Sequence, residues 1–289
     1  MESQFIISGF SDEISSNFKE QLREIKALNI AYIEIRGVNG KNIKDHTLEE
    51  VKILKKDLDQ AGIEISAIGS PIGKINIKDA FEPEFDSFKH IVEIAKILET
   101  NYIRIFSFYM KENETIQYRD EVMKRLKQMT EYVKGTDIIL LHENEKGIFG
   151  DVPQRCLDIV TTIDSPNLKL IFDPANFVQC QVKNYPDAFN TLKDHVIYYH
   201  MKDAKLRDGQ VMPVGYGDGN LKELIQSLDQ SGFHGFLSLE PHLGQFTGFE
   251  NLEGNGISPK LEEKSDVKKF QLAYQCLQNV IKEVQNESN

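Results

Sequence analysis

The chain has 289 residues, of which 40% are hydrophobic and 27% are charged, and its formal net charge is −11. This acidic balance disfavours nonspecific binding to nucleic acid or to an anionic membrane surface. The sequence shows no signal peptide and no apolar stretch near 20 residues, and its three cysteines lack zinc-site spacing, so we expect a soluble, cytoplasmic protein with reduced thiols.

Segments with strand and helix patterns alternate from the start of the chain. In the first half, the patterns predict strands at 5–10, 31–36, 63–68 and 102–106, with helices at 17–28, 47–61, 84–98 and 116–133. Thr47 with Glu50 forms a capping-box pattern at the start of the second helix, and Gly62 follows its end.

The second half repeats this alternation. It predicts strands at 138–143, 168–173, 196–200 and 236–240, with helices at 153–163, 186–192, 221–230 and 267–284. Eight strand–helix units in one chain indicate an α/β fold, a (β/α)8 TIM barrel forming a single domain over residues 1–289. An open doubly wound sheet is the structural alternative, but no GxGxxG motif follows the first strand.

Four consecutive strands end in a residue with metal-ligand chemistry. These residues are Glu143, Asp173, His200 and Glu240. In a barrel the carboxyl ends of all strands share one face, where active sites lie. Any one of these residues alone is more often a turn or cap residue, but four in succession favour a metal site. Three carboxylates and one imidazole suit Mn²⁺ or Mg²⁺, with Co²⁺, Zn²⁺ or Fe²⁺ as alternatives.

Several strings around these strand ends carry a family resemblance. His142-Glu-Asn144, Asp173-Pro-Ala-Asn176, His200-Met-Lys-Asp203 and Leu239-Glu-Pro-His242 resemble the xylose isomerase-like barrels, the sugar phosphate isomerase/epimerase or AP endonuclease family 2-like group. The resemblance covers nearly the whole chain. It implies one divalent ion, most often Mn²⁺, at the four strand ends. It also implies that Glu143 and Glu240 act as acid and base on opposite faces of a bound ketose.

The chain departs from the ketose 3-epimerases of that family at three positions that contact substrate hydroxyls there. Asn176 stands where those enzymes have histidine, Phe149 where they have glutamate, and Leu206, beside Arg207, where they have arginine. The departures put a free ketohexose substrate in doubt and leave the metal ligands unaffected.

Candidate substrate contacts surround the predicted metal site. They are Lys202, His242, Arg104, Lys74, Asn176 and Arg207. Lys202 and Arg104 could instead form ion pairs, Lys74 could be a solvated loop residue, and His242 could donate to a ligand carboxylate. Glu34 and Arg36, two apart on one strand, are either a buried ion pair or a substrate contact. The loops 202–220 and 241–263 either close over substrate or, through Phe246 and Phe249, form a dimer contact.

The expected function is metal-dependent isomerisation or epimerisation of a sugar, sugar phosphate or keto-sugar, by proton transfer through an enediolate. A lyase or C-glycoside-cleaving enzyme could use the same groups. An abasic-site endonuclease would need more histidines and a basic DNA-binding face, and a noncatalytic sugar-binding protein is a further alternative. We expect a small carbohydrate as the partner, neither nucleic acid nor membrane, and homo-oligomerisation stays open.

Overall fold

The computed structural model describes residues 4–243 and 267–287. Eight strands alternate with helices along these residues. The strands are β1 Gln4–Gly9, β2 Tyr32–Ile35, β3 Glu64–Ile68, β4 Tyr102–Ile105, β5 Ile139–Glu143, β6 Leu168–Phe172, β7 Val196–Met201 and β8 His234–Leu239. The helices are α1 Phe18–Ala27, α2 Leu48–Ala61, α3 Glu82–Ile97, α4 Thr115–Tyr132, α5 Pro153–Ile163, α6 Pro174–Gln179, α7 Phe189–Leu192, α8 Leu221–Gln230 and α9 Val267–Glu287.

The eight strands form one parallel sheet that curls into a barrel. Its order is β1-β8-β7-β6-β5-β4-β3-β2, so that β1 and β2 return to each other and pack together at the seam. Every hydrogen-bonded pair in this sheet is parallel. The predicted (β/α)8 TIM barrel is therefore confirmed, and the carboxyl ends of the strands share one face.

The helices pack on the barrel through apolar residues at helical spacing. In α2 the buried residues are Val51, Leu54 and Leu58. The predicted capping box is present at its start: the Glu50 backbone N–H donates to Thr47 Oγ1 (3.2 Å) and the Thr47 N–H donates to Glu50 Oε2 (2.7 Å). Gly62 follows the helix with a left-handed φ of 69°, which glycine adopts without a Cβ clash.

The lumen of the barrel is filled with side chains away from the carboxyl-terminal end of the strands. Ala67, Leu141, Ile171 and Tyr198 form a buried cluster, and Tyr102 and Phe236 pack against it. The Tyr198 and Phe236 rings lie 5.6 Å apart between centroids. Because this end is closed by packing, polar chemistry is confined to the carboxyl-terminal end of the barrel.

One helix was missed by the sequence patterns. The short helix α6 starts directly after β6, where Asp173 caps it by accepting a hydrogen bond from the Asn176 N–H (2.9 Å) and Pro174 takes the first position. The helix predicted at 186–192 is shorter than expected, since regular helix begins at Phe189 after an irregular turn over Asn184–Ala188. Helix α6 was missed because its six residues are too few to show a helical repeat of apolar positions.

Residues 244–266 lie outside the described part of the chain, so the prediction that the loop 241–263 closes over substrate or forms a dimer contact falls mostly there. In residues 4–243 and 267–287, we find no helix with both the length and the hydropathy to cross a bilayer.

Candidate metal centre

The four predicted ligands converge at the carboxyl-terminal end of the barrel. Glu143, Asp173, His200 and Glu240 are all buried, and one ligand atom from each lies within 4.8 Å of the others. His200 Nδ1 is 3.1 Å from Glu143 Oε1 and 3.6 Å from both Asp173 Oδ2 and Glu240 Oε2. The ends of β5, β6, β7 and β8 thus meet around one point, as the strand order requires.

The donor set fits one divalent cation. Asp173 Oδ2 is buried and accepts no hydrogen bond from a described residue, although Lys202 Nζ lies 3.0 Å away. Three carboxylates around one imidazole nitrogen would repel one another unless cations balance them. A divalent ion held by Glu143, Asp173, His200 and Glu240 would supply that balance and give Asp173 Oδ2 a partner.

Neighbouring charges decide the ionisation of this cluster. Burial alone would raise the pKa of Glu143, but His200 and Arg104 lower it to about 2. Burial is likewise outweighed at Glu240, whose pKa lies well below its usual value because of Lys202, His242, His200 and Arg104. At Asp173 burial prevails over Lys202, and the pKa is raised. Glu143 and Glu240 are therefore carboxylates at neutral pH, the form that binds metal and accepts protons.

Two asparagines hold the ends of β5 and β6 together. Asn144 Nδ2 donates to the Asp173 carbonyl (2.9 Å), and the Asp173 N–H donates to Asn144 Oδ1 (2.8 Å). Asn176 Nδ2 donates to Glu143 Oε1 (3.1 Å) and to the Asn144 carbonyl (2.9 Å). Asn176, predicted as a substrate contact, thus orients Glu143, and Asn144 fixes the ligand Asp173.

Two buried cations bridge the ligand carboxylates. Arg104 Nη1 lies 3.1 Å from Glu143 Oε2 and 3.5 Å from Glu240 Oε1. Lys202 Nζ lies 2.8 Å from Glu240 Oε2. The predicted alternative of ion pairing is present for both residues, and both also lie where a substrate beside Glu143 and Glu240 would be in reach.

A second ionic network supports Glu240 from the β1 and β2 side. Arg36 donates from Nε to Asp12 Oδ2 (2.8 Å), and its Nη atoms lie 3.3 Å from Glu13 Oε1 and 3.2 Å from Glu240 Oε1. Burial raises the pKa of Glu13 to about 8, against the effect of Arg36. Glu13 Oε2 also accepts the His242 backbone N–H (2.7 Å), which anchors the residue two past Glu240.

Asp12 and Glu13 were not predicted as site residues. Their signal in the sequence is a pair of carboxylates shortly after the first predicted strand, with Ser11 in between.

Asp203 is a further residue whose role the sequence did not indicate. Its buried carboxylate accepts backbone N–H groups of Ala204, Gly215, Gly217 and Gly219 at 2.8–3.1 Å. A Cβ on Gly217 would lie 2.1 Å from Asp203 Oδ1, so the loop approaches this closely only with glycine. Asp203 therefore holds the β7–α8 loop in place beside Lys202.

The remaining predicted contacts lie apart from this cluster or at its edge. Lys74 Nζ pairs with Glu145 Oε2 (3.1 Å) and lies 4.4 Å from the Phe106 ring centroid. His242 Nε2 is 3.5 Å from Glu240 Oε1, at the edge of the site. Arg207 pairs with Asp208, and 87% of its side chain is exposed, so the structure does not bring it to the buried ligands.

A family model described as "Xylose isomerase-like TIM barrel" matches residues 22–258, most of the chain. The protein belongs to this family. Two curated relatives match by sequence. An uncharacterised protein of Methanocaldococcus jannaschii is 27% identical over 177 residues, covering 57% of this chain and 55% of the relative. The 3-dehydroshikimate dehydratase of Bacillus anthracis is 23% identical over 177 residues, covering 61% and 62%. The chain thus spans less than two thirds of either relative.

Solved structures share the fold. A D-tagatose 3-epimerase-like protein superposes with a TM-score of 0.74 at 19% identity and covers 100% of both chains. The IOLI protein with a bound zinc atom superposes with a TM-score of 0.72 at 16% identity, covering 98% of this chain and 99% of that one. At these levels of identity the likeness shows the shared barrel fold.

Proposed function

We propose that this protein is a metal-dependent isomerase or epimerase of a sugar or keto-sugar. One divalent ion, with Mn²⁺ as the first expectation, is held by Glu143, Asp173, His200 and Glu240. The zinc atom in the IOLI structure supports a metal in this fold, and the epimerase-like neighbour supports the reaction class. The donor set of three carboxylates and one imidazole is equally compatible with Mg²⁺, Co²⁺, Zn²⁺ or Fe²⁺.

The observation that carries this proposal is the arrangement of the two glutamates. Glu143 Oε1 and Glu240 Oε2 face His200 Nδ1, at 3.1 and 3.6 Å. The other oxygen of each, Glu143 Oε2 and Glu240 Oε1, faces Arg104 Nη1. Each glutamate can therefore offer one oxygen to an ion and keep the second for proton transfer. A carboxylate with both oxygens bound to metal would be too weak a base.

The chemistry assigns a separate task to each group. A divalent ion held by Glu143, Asp173, His200 and Glu240 would supply Lewis-acid polarisation of the substrate carbonyl, which would make the neighbouring C–H acidic. One of Glu143 and Glu240 takes the proton from that carbon, and the other returns a proton to the same carbon or to its neighbour. His200 at Glu143 and Lys202 at Glu240 are the main charges that keep the two glutamates ionised, and Arg104, between their outer oxygens, adds to both. Lys202 and His242 are placed to contact substrate oxygens beside Glu240.

Solvent deuterium exchange tests this proposal. Mn²⁺-loaded protein is incubated in D₂O with free ketoses, keto-glycosides and the phosphates of both, and carbon-bound deuterium is measured by mass spectrometry. We expect exchange with at least one substrate class. Glu143→Gln and Glu240→Gln should each lower it by about 10²–10⁴-fold, the usual contribution of general acid–base catalysis.

The surface substitution Glu131→Gln, in an exposed position of α4, serves as the matched control and should leave exchange unchanged. Undiminished exchange in Glu240→Gln would remove Glu240 from the catalytic pair. A protein that binds metal but exchanges no member of the panel would contradict the proposed reaction.

A lyase is the second candidate, because the relative from Bacillus anthracis is named a dehydratase. Elimination beside a carbonyl begins with the same proton removal and needs an acid for the leaving oxygen. The differences from the ketose 3-epimerases weigh against a free ketohexose as substrate, since Phe149 is buried and Asn176 is bonded to Glu143 and Asn144. Product analysis separates the two: a lyase yields an unsaturated or cleaved product, and an epimerase yields an isomer of equal mass.

The net charge of −11 supports a small carbohydrate as the substrate and opposes an abasic-site endonuclease function. We propose a cytoplasmic location, where the three widely spaced cysteines would stay reduced.

A further inference from the structure

We propose that Glu34 is a positioning residue that determines which nitrogen of His200 faces the metal centre. Glu34 lies on β2 and His200 on β7, and neither side chain has exposed surface. Glu34 Oε2 is 3.1 Å from His200 Nε2, on the side of the ring opposite the ligand carboxylates. Because the metal site belongs to the proposed function, this role rests on that function.

The partner of each ring nitrogen determines where the proton resides. A carboxylate oxygen only accepts hydrogen bonds, so Nε2 must be the donor to Glu34. Nδ1 also lies 3.1 Å from a carboxylate oxygen, Glu143 Oε1, so the ion-free ring can donate from both nitrogens. A divalent ion shared with the ligand carboxylates would replace the Nδ1 proton, and the proton on Nε2 would stay beside Glu34. The reverse arrangement would set the Nε2 lone pair against Glu34 Oε2 in a buried site, which is costly.

Glu34 Oε2 is itself held in place by two hydroxyl groups. Tyr198 OH donates to it at 2.9 Å and Ser238 Oγ at 2.8 Å. Tyr198 uses its proton in this bond, so Ser66 Oγ, 2.9 Å away, donates to the Tyr198 oxygen, and Ser8 Oγ donates to Ser66 (2.6 Å). The hydrogen bonds therefore run in one direction across the barrel and end at the carboxylate under His200.

The backbone also places Glu34 where it is. The pairing of β2 with β3 shifts register between Ile33 and Glu34, an irregularity of the kind that re-aims a side chain. A purely structural role does not explain a carboxylate here, since Glu34 Oε1 is buried and has no hydrogen-bond partner among the described residues. Orienting a metal-binding histidine and raising its basicity is a task that requires the negative charge.

Metal affinity tests this role without reference to turnover. The substitution Glu34→Gln keeps the size of the side chain and removes its charge. We expect Mn²⁺ affinity, measured by electron paramagnetic resonance titration, to fall about 10–100-fold, the usual effect of losing an outer-sphere partner. The matched control is Glu131→Gln, the same substitution at an exposed position of α4, which should leave Mn²⁺ affinity unchanged. Circular dichroism checks that each variant folds.

A second measurement uses the wild-type protein, so it holds even if Glu34→Gln fails to fold. In Zn²⁺-loaded protein with ¹⁵N-labelled histidine, NMR should find the His200 proton on Nε2 and the metal on Nδ1. The reverse assignment, or unchanged affinity in Glu34→Gln, would overturn the positioning role alone. Wild-type protein that binds no divalent ion would overturn the metal site of the proposed function and this role together.

Discussion

The two halves of the barrel contribute different chemistry to one site. Strands β5 to β8 end in the metal-ligand candidates, whereas the first half supplies the groups that hold these ligands. Arg104 from β4 contacts Glu143, Arg36 after β2 contacts Glu240, and Glu34 from β2 contacts His200. Each ligand of the second half, apart from Asp173, thus has a charged partner from the first half. The ligand candidates come from four consecutive strands, and their partners come from β4, which neighbours β5, and from β2 and the residue after it.

The site therefore consists of buried cations and carboxylates that compensate one another, in addition to the ligand candidates. Arg36 and Arg104 are both about 95% buried, and burying such cations is costly unless carboxylates compensate them. The buried carboxylates of the ligand candidates in turn need cations to compensate their negative charge. The first half therefore stabilises the site before any ion or substrate binds, and removing its cations should break the fold more than removing a ligand.

The largest effect is expected from Arg104→Met, which leaves Glu143 and Glu240 without the cation between them. Breaking a buried ion pair on one side costs roughly 3–5 kcal/mol, because the remaining charge stays buried and uncompensated. Urea denaturation of the metal-free protein measures the loss. The matched control is Arg119→Met on α4, whose guanidinium is 39% exposed and pairs with Asp158, and it should cost about 1 kcal/mol or less. Equal stability of the two variants would contradict the balance of charge described here.

A metal-ligand candidate of the second half should show the opposite result, a large loss of metal affinity with little loss of stability. In Asp173→Asn the cap of α6 is preserved, since asparagine also accepts a backbone N–H, but one ligand charge is lost. We expect Mn²⁺ affinity to fall by at least about 100-fold, beyond the range for the outer partner Glu34, with little change in urea stability. Titration with Mn²⁺ and denaturation of the same sample measure both. A smaller loss of affinity than in Glu34→Gln would reverse the assignment of ligand and partner.

The smallest effect concerns His142, which neighbours Glu143 on β5 but faces the helices instead of the lumen. Burial lowers the pKa of His142 to about 4, and Ser107 Oγ lies 2.9 Å from Nε2. The unfolded chain binds a proton near pH 6.5 that the folded protein does not bind until about pH 4. The stability from neutral burial is therefore present above pH 6.5 and falls as the pH decreases toward 4.

Between pH 7 and pH 5 the loss of this contribution to the free energy of unfolding amounts to about 2 kcal/mol. The difference in unfolding free energy between wild type and His142→Gln, measured across that range, should change by this amount. The exposed His234, replaced by glutamine, is the control and should leave the pH dependence of wild type unchanged. A flat difference for His142→Gln would mean that His142 is not held neutral by burial.

Local patterns were enough to predict the barrel and the four ligands. Alternating apolar residues end at Glu143, Asp173, His200 and Glu240, and parallel strands in consecutive order must bring such ends together. The same alternation placed Lys202, two residues past His200, on the lumen side. Arg207 was proposed from its place beside Leu206, where the resembled enzymes have arginine, and it lies exposed beside Asp208. The short helix α6 was missed because its sequence signals are one cap residue, Asp173, and one proline, Pro174, without a helical repeat of apolar residues.

The fold class and the ligand candidates can be predicted from the sequence, because both follow from periodicities of two and 3.6 residues. The charged partners of these candidates become apparent only in the folded barrel. Glu34 and His200 are 166 residues apart, and Arg36 and Glu240 are 204 residues apart. No local pattern links such pairs, since closure of the barrel and the need to compensate buried charge bring them together.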